Sequence, residues 1–320
     1  MTPTQPPAWA SSVLERPPGT GAMKKDLHFA VVSKVSHPWF DQVYKGAAAQ
    51  AHLLKCQLGI DIEAELFAPT AANVTEQNSS LKAAAAGRPD GIAIDPVAAL
   101  SDLPEIRTIR SQGIPLILFD SPSPESGITS VGNDFIQQGM IAANRLVQLI
   151  GHAGKVAVMK GVPTAPNHSE RYQAQIDVLN KYRDIVIVDG GIDYDSIETA
   201  RREAGAVLAS NPDLRGYLCC DASGPIGIAK AIMEAKKVGE VKVVGMDGIK
   251  PILEAIRDGI VESSSSTIPR MQGSMVILML WQASLGVQIP QRIDTGIDLI
   301  TRENVDRFLA LSRGDEAARG

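Results

Sequence analysis

Four aspartates each close a short apolar run: Asp95 in IAID, Asp120 in LILFD, Asp221 in YLCCD and Asp247 in VVGMD. An ionised carboxylate accepts several hydrogen bonds and donates none. Carboxylates gathered at one place therefore suit a ligand that supplies donors, and hydroxyl groups supply them in number. His37, Trp39 and Phe40 follow a fifth apolar run, and the flat C–H face of a sugar or polyol can lie against an aromatic ring. Aromatic residues make up only 4% of the chain, which gives weight to an adjacent pair at the end of a strand. Arg171, in NHSERYQAQ, offers a planar fork of donors to two hydroxyls. Tyr194 offers a further ring, Asn133 and Asp134 add polar groups in a nearby loop, and Thr267 stands in SSSSTIP just before an apolar helix. Each residue also has a plainer reading. An Asp after a strand is most often a helix N-cap, an aromatic pair most often packs a core, and a helix arginine or Thr267 can be solvated or capping. Four aspartates at one edge exceed what capping alone requires.

Catalytic patterns are missing. No GxGxxG follows a strand, GHAGK at 151–155 lacks the length and the Ser/Thr of a phosphate loop, and neither HExxH nor GxSxG occurs. The three cysteines, Cys56, Cys219 and Cys220, have no CxxC spacing, so they read as buried structural thiols without a disulfide framework or a metal. No cofactor and no metal are expected. An enzyme acting on a carbohydrate in the same cleft stays open as the second reading.

The elements that must position these groups follow from periodicity. Apolar runs at 29–32, 60–67, 91–94 and 114–119 alternate with helical patterns, and Ile128–Gly132 is a further short extended piece. The alternation restarts with a helix from Phe135, strands at 155–159, 185–188, 216–219 and 241–245, and an extended segment at 260–265. Runs of this length separated by helices imply βαβ units, parallel sheets and right-handed crossovers. The carboxyl ends of such strands are where open α/β sheets hold ligands. The expected fold is α/β, with two similar Rossmann-like lobes of parallel sheet joined by a multi-strand hinge. The N-terminal lobe is expected over 27–131 plus 268–294 and the C-terminal lobe over 132–267 plus 295–313, between a disordered leader at 1–26 and a frayed tail at 314–320.

At 320 residues the chain exceeds one ordinary core, consistent with two lobes. A net charge of −5 without a basic run gives no support to nucleic-acid or membrane-surface binding. No apolar stretch is long enough to span a bilayer. The first 26 residues lack an apolar h-region and read as a Pro-rich leader instead of a signal peptide.

The segments VVSKVSHPWF, IAIDP, LILFD, HSERYQAQ, CCDASGPIGIAKAI and VVGMDG resemble, in order and spacing, the periplasmic sugar-binding proteins of the ribose/galactose type, over about Leu27 to Arg302. The resemblance implies the type I periplasmic binding fold, a sugar or polyol held between lobes, delivery to the membrane permease of an ABC transporter, a periplasmic location and a monomer. A ligand-sensing module for a membrane sensor is the alternative of the same fold. Carried over by position, the resemblance sets His37, Trp39, Phe40, Asp95 and Asp120 on one side of the ligand and Arg171, Tyr194, Asp221 and Asp247 on the other, with Thr267 at a hinge. Many members have Asn where His37, Asp95 and Asp221 stand, and Arg where this chain has Ser121. Fewer cations and more acid favour a polyol, a deoxy or branched sugar or an amine-bearing ligand over a common aldopyranose. A LacI-type repressor needs a DNA-binding module of roughly 50 residues ahead of the first strand, judged from three ordinary helices, and is not expected.

Overall fold

The computed structural model of the chain describes residues 24–98, 100–122, 125 and 127–317. Its first sheet is built from β1 (Asp26–Val32), β2 (Asp61–Phe67), β3 (Gly91–Ile94), β4 (Leu116–Phe119), β5 (Ser130–Gly132) and β11 (Arg292–Asp294). They lie in the order β11-β5-β4-β3-β1-β2, all parallel. Helices α1 (Pro38–Leu58), α2 (Val74–Ala86) and α3 (Leu103–Ser111) follow the first three strands, and α9 (Pro269–Ser284) returns to this lobe. Burial explains the unalternating runs: every residue of β3 and β4 is buried, as a strand covered on both faces requires.

The second sheet holds β6 (Gly154–Lys160), β7 (Ile185–Ile192), β8 (Leu214–Leu218), β9 (Lys242–Met246), β10 (Ser263–Ser266) and β12 (Asp298–Thr301), in the order β12-β10-β9-β8-β6-β7. Only β12 is antiparallel to its neighbour. Helices α4 (Phe135–Leu149), α5 (Pro166–Leu179), α6 (Ile197–Ser210), α7 (Gly224–Glu234), α8 (Lys250–Arg257) and α10 (Val305–Ala317) cover it. The chain thus passes between sheets three times, after β5, after β10 and after β11.

Asn133 ties these passages together. Its Nδ2 donates to the Gly296 carbonyl, its Oδ1 accepts from Gln272 Nε2 at 2.8 Å, and its carbonyl accepts from Arg292 at 3.0 Å. One side chain therefore binds the first crossing to the third and to the helix that follows the second.

Of the leader expected over 1–26, residues 1–23 lie outside the described residues, and Asp26 already opens β1. Helix α10 continues through Arg313 to Ala317, where the sequence read as fraying, and 318–320 lie outside the description. Neither β11 nor α10 was expected, because Arg-Ile-Asp is too short and polar to carry a strand pattern and the α10 stretch is weakly apolar. No helix among the described residues is long and apolar enough to cross a membrane.

Candidate functional site

Helix α1 starts abruptly, and its start builds one wall. Pro38 sets the first turn, and His37 caps it by accepting the Trp39 N–H on Nδ1 at 3.1 Å. That cap points the imidazole toward the other lobe, where Nε2 lies 3.1 Å from Ser223 Oγ. Trp39 and Phe40 are both buried, edge to face at 5.0 Å, with Phe40 edge to face on Phe119 at 6.3 Å. Core packing and cleft wall are here one arrangement: both rings belong to the apolar core and both line the cavity between the lobes.

Lys34, two residues after β1, supplies the charge of this wall. Its ammonium lies 3.2 Å from Asp95 Oδ2 and 3.7 Å from Asp120 Oδ2, and 3.2 Å from Asn167 Oδ1 on α5 of the opposite lobe. Burial disfavours a charged lysine, but the fields of Asp95, Asp120 and Asp195 outweigh it and hold its pKa above the usual value. Asp95 responds the other way. Burial pushes its carboxyl up to about 7 despite Lys34, with the nearby Asp120 adding to the rise.

The second wall comes from α5 and the ends of β7, β8 and β9. Asn167 Nδ2 donates to Asp120 Oδ2 across the cleft, and Arg171 stands 3.8 Å from Asp120 Oδ1 while donating to Gln138 at 2.7 Å. The Arg171 guanidinium also stacks over Phe135 at 4.6 Å, which fixes its plane. His168 Nδ1 accepts the Val162 N–H at 2.9 Å, and burial with the nearby Lys34 and Arg171 charges holds its pKa well below the usual imidazole range. Gly161 is required here, since a Cβ would press on His168 Nδ1 and come within 3.0 Å of Asp221 Oδ2.

Asp221 and Asp247 end their strands as expected, but only Asp221 acts on a helix start, accepting the Gly224 N–H at 2.8 Å. Asp247 accepts the Thr267 N–H at 3.2 Å and the Thr267 hydroxyl, and that hydroxyl accepts from Trp39 Nε1 at 3.1 Å. Burial raises the pKa of Asp247, and burial with the charge of Asp195 pushes Asp221 up to about 7.

Lys34, His37, Trp39, Phe40, Asp120, His168, Arg171, Asp195, Asp221, Ala222 and Asp247 enclose a cavity of about 20 Å³, little more than one water needs. A molecule much larger than water fits there only if the lobes part and Lys34 and Asn167 release their mutual contact. Two carboxylate oxygens in this wall, Asp120 Oδ1 and Asp221 Oδ2, are buried and receive no hydrogen bond from a protein donor.

Several sequence expectations place differently. Asn133 is the hinge node described above, away from the cavity wall. Asp134 caps α4 by accepting the Gln137 N–H at 2.8 Å. Tyr194 is 57% exposed, so its ring is no cleft wall, although its neighbour Asp195 is. Asp95 sits behind Lys34, and Thr267 behind Trp39 and Asp247, so both support the wall without lining it. Lys34, His168 and Asp195 line the cavity unforeseen, and Asn167 spans it. The usable signal for Lys34 was its place: an ionisable residue directly after a buried strand, at the edge where the aspartates gather.

Backbone geometry concentrates at the same place. Asp120, Tyr194, Asp195 and Asp247 all have positive φ, at 51°, 54°, 62° and 66°. The short side chain of Asp tolerates this region better than most, and such residues cluster at functional sites.

A model of the periplasmic binding protein domain matches residues 29–287. The ribose import binding protein RbsB of Bacillus subtilis is 21% identical over 300 residues, covering 93% of both chains. The xylitol-binding protein of Mycolicibacterium smegmatis is 24% identical over 229 residues, covering 68% of this chain and 62% of its own. Among solved structures, an Agrobacterium vitis ABC transporter solute-binding protein with bound D-fucose superposes with a TM-score of 0.83 at 24% identity, over 88% of this chain and 97% of that one. The glucose-galactose-binding protein GanP of Geobacillus stearothermophilus gives 0.80 at 25% identity, over 88% and 99%. Two parallel-sheet lobes, three crossings and a cleft at the strand ends accord with these matches, and the chain belongs to the periplasmic binding protein family.

Proposed function

We propose that this protein is a solute receptor that captures one small sugar or polyol between its lobes and delivers it to the permease of an ABC transporter. The observation that carries this reading is the buried, acceptor-rich cavity between the two sheets, with carboxylate oxygens on Asp120 and Asp221 that receive no hydrogen bond from a protein donor. An enclosed carboxylate oxygen without a donor is costly, and ligand hydroxyls supply donors to each lobe at once. The relatives are named as binding proteins for ribose, allose and xylitol, which supports transport over turnover. The family's name supports a periplasmic location, and the protein acts as a monomer.

In this reading the units that move are 27–131 plus 268–294 and 132–267 plus 295–313, by hinge closure about the Asn133 node. His37, Trp39, Phe40 and Asp120 contact the ligand from one lobe and Arg171, Asp221 and Asp247 from the other. Asp95 and Thr267 hold these groups in place. A panel of pentoses, hexoses and pentitols screened by thermal shift tests the reading, because a ligand at 100 times its Kd stabilises by about 2.7 kcal/mol. A rise in Tm with one member and its close stereoisomers supports it. No rise with any member overturns it.

A further inference from the structure

We propose that the ligand carries a protonated amine as well as hydroxyl groups, and that the ammonium seats against Asp221 and Asp195 in the C-terminal lobe. This rests on the reading of the cavity as a sugar or polyol site and narrows the class of ligand.

In the N-terminal wall, negative charge is answered: Lys34 pairs with Asp95 and Asp120, and Arg171 stands 3.8 Å from Asp120. Arg171 also offsets Asp247, whose Oδ1 has the Thr267 N–H and hydroxyl as donors. Asp193 and Asp221 have no such answer, and Asp195 is reached only by the field of Lys34, with no direct ion pair. No lysine or arginine among the described residues forms a salt bridge with any of the three. His168, the nearest buried imidazole, accepts a hydrogen bond on Nδ1 and has a depressed pKa.

The acceptors are also short of donors. Asp221 and Asp193 are 1% and 0% exposed, and Oδ2 of each finds no other protein donor, the two carboxyls meeting only each other. Their other oxygens are used by backbone, Asp221 Oδ1 by Gly224 N and Asp193 Oδ1 by Asp195 N, at 2.8 Å and 2.9 Å. These backbone contacts hold the two carboxylates rigidly. Burial and mutual repulsion push the pKa of Asp193 well above the usual range, so a proton held between Asp193 and Asp221 supplies the missing positive charge. An alkylammonium does the same with three donors and a full charge. Asp195, in left-handed backbone at φ 62° and lining the cavity, is the third acceptor beside Asp221. Neutral polyols offer hydroxyl donors to Asp221 and Asp195, which line the cavity, but bring no positive charge, and a sugar acid adds a further negative charge.

The test uses matched pairs measured by calorimetry on the full chain at pH 7: D-glucose and D-glucosamine, D-galactose and D-galactosamine, D-allose and D-allosamine, xylitol and 1-amino-1-deoxyxylitol. We expect the amine of at least one pair to bind about tenfold or more tightly than its neutral partner, a difference of about 1.4 kcal/mol. In Asp221→Asn both members of a pair weaken but the amine loses more, so the preference collapses, and Asp195→Asn, on a partly exposed loop, reduces it in the same sense. Binding of a neutral sugar or polyol with equal or weaker binding of its amine overturns the proposal and leaves the sugar-receptor reading standing. Binding of neither member of any pair overturns both. If Asp221→Asn does not fold, the wild-type comparison and Asp195→Asn decide.

Discussion

The ammonium of Lys34, carried just beyond the first strand of one lobe, lies 3.2 Å from Oδ1 of Asn167 on the first turns of a helix in the other. The same ammonium serves Asp95 at 3.2 Å within its own lobe. Closure of the cleft and burial of its charges are therefore coupled through one side chain. Ser121 makes room for this, since its hydroxyl donates to Asn167 Oδ1 at 2.9 Å and its backbone N–H donates to Asp95 Oδ1 at 3.1 Å.

Replacing Lys34 by Met keeps much of the volume but strands two buried carboxylates. Removing one partner of a buried ion pair costs about 3–5 kcal/mol. Chemical denaturation of Lys34→Met should show a loss of that order. The double variant Lys34→Met with Asp95→Asn should recover a large part of it, because the uncompensated charge is gone. A double variant no better than the single would contradict the pairing.

Stability should fall as pH rises from about 4 to 7. Asp95 and Asp221 sit near 7 in the folded chain against an ordinary value of 3.8. The folded state then binds more protons than the unfolded state throughout that window, so their stabilising contribution is full at the acid end and lost as pH rises through 7. Asp102, buried and pushed up to about 6 by burial, acts in the same direction away from the cleft. Asp102→Asn should flatten the profile between pH 4 and 6 in denaturant titrations, while leaving Ala98 N its acceptor.

Helix α9 lies against α1 without a gap. A Cβ on Gly273 would run into the Val43 carbonyl, and one on Gly46 into the backbone of Arg270. Gly273→Ala must push the helices apart, and overpacking of this kind costs about 1–3 kcal/mol. Thermal denaturation should show the loss in the absence of any ligand, with sugar specificity unchanged. An unaffected Tm would contradict the close approach.

Much of this molecule was legible because strand runs and their terminal aspartates obey simple rules. IAID, LILFD, YLCCD and VVGMD are uniformly apolar because the strands are covered on both faces, and the Asp follows where backbone leaves the sheet. The two lobes and the edge holding the site follow from that alone. Lys34 was not legible in the same way, because periodicity does not say whether a charge after a strand points to solvent or across a cleft. Asn167 and His168 are hidden for a similar reason: a polar helix start looks like capping, while here it spans the lobes. Tyr194 shows the opposite failure, since its aromatic ring suggested a wall while its loop turns it outward. The strand Arg292–Asp294 was invisible because three mostly polar residues pair only with a sheet edge the rest of the chain has already built.

The Trp39 indole and the Asp247 carboxylate meet on one hydroxyl, that of Thr267. Thr267→Val removes a donor to Asp247 and the acceptor of Trp39 Nε1 while preserving shape. Each stranded buried group costs about 1–3 kcal/mol, so ligand affinity and stability should both fall. Thr267→Ser should restore both, as read by calorimetry and denaturation.

In the proposed receptor a small polyhydroxylated ligand is gripped between the lobes by Asp120, Arg171 and Asp247. Calorimetric titration of wild type and Asp247→Ala with the sugar, polyol or amino derivative that binds best tests it most directly. We predict saturable one-to-one binding by wild type and a loss of about 1–3 kcal/mol in the variant, roughly tenfold to a hundredfold in Kd. Full affinity in Asp247→Ala, or no heat from any member of the panel with wild type, would contradict it.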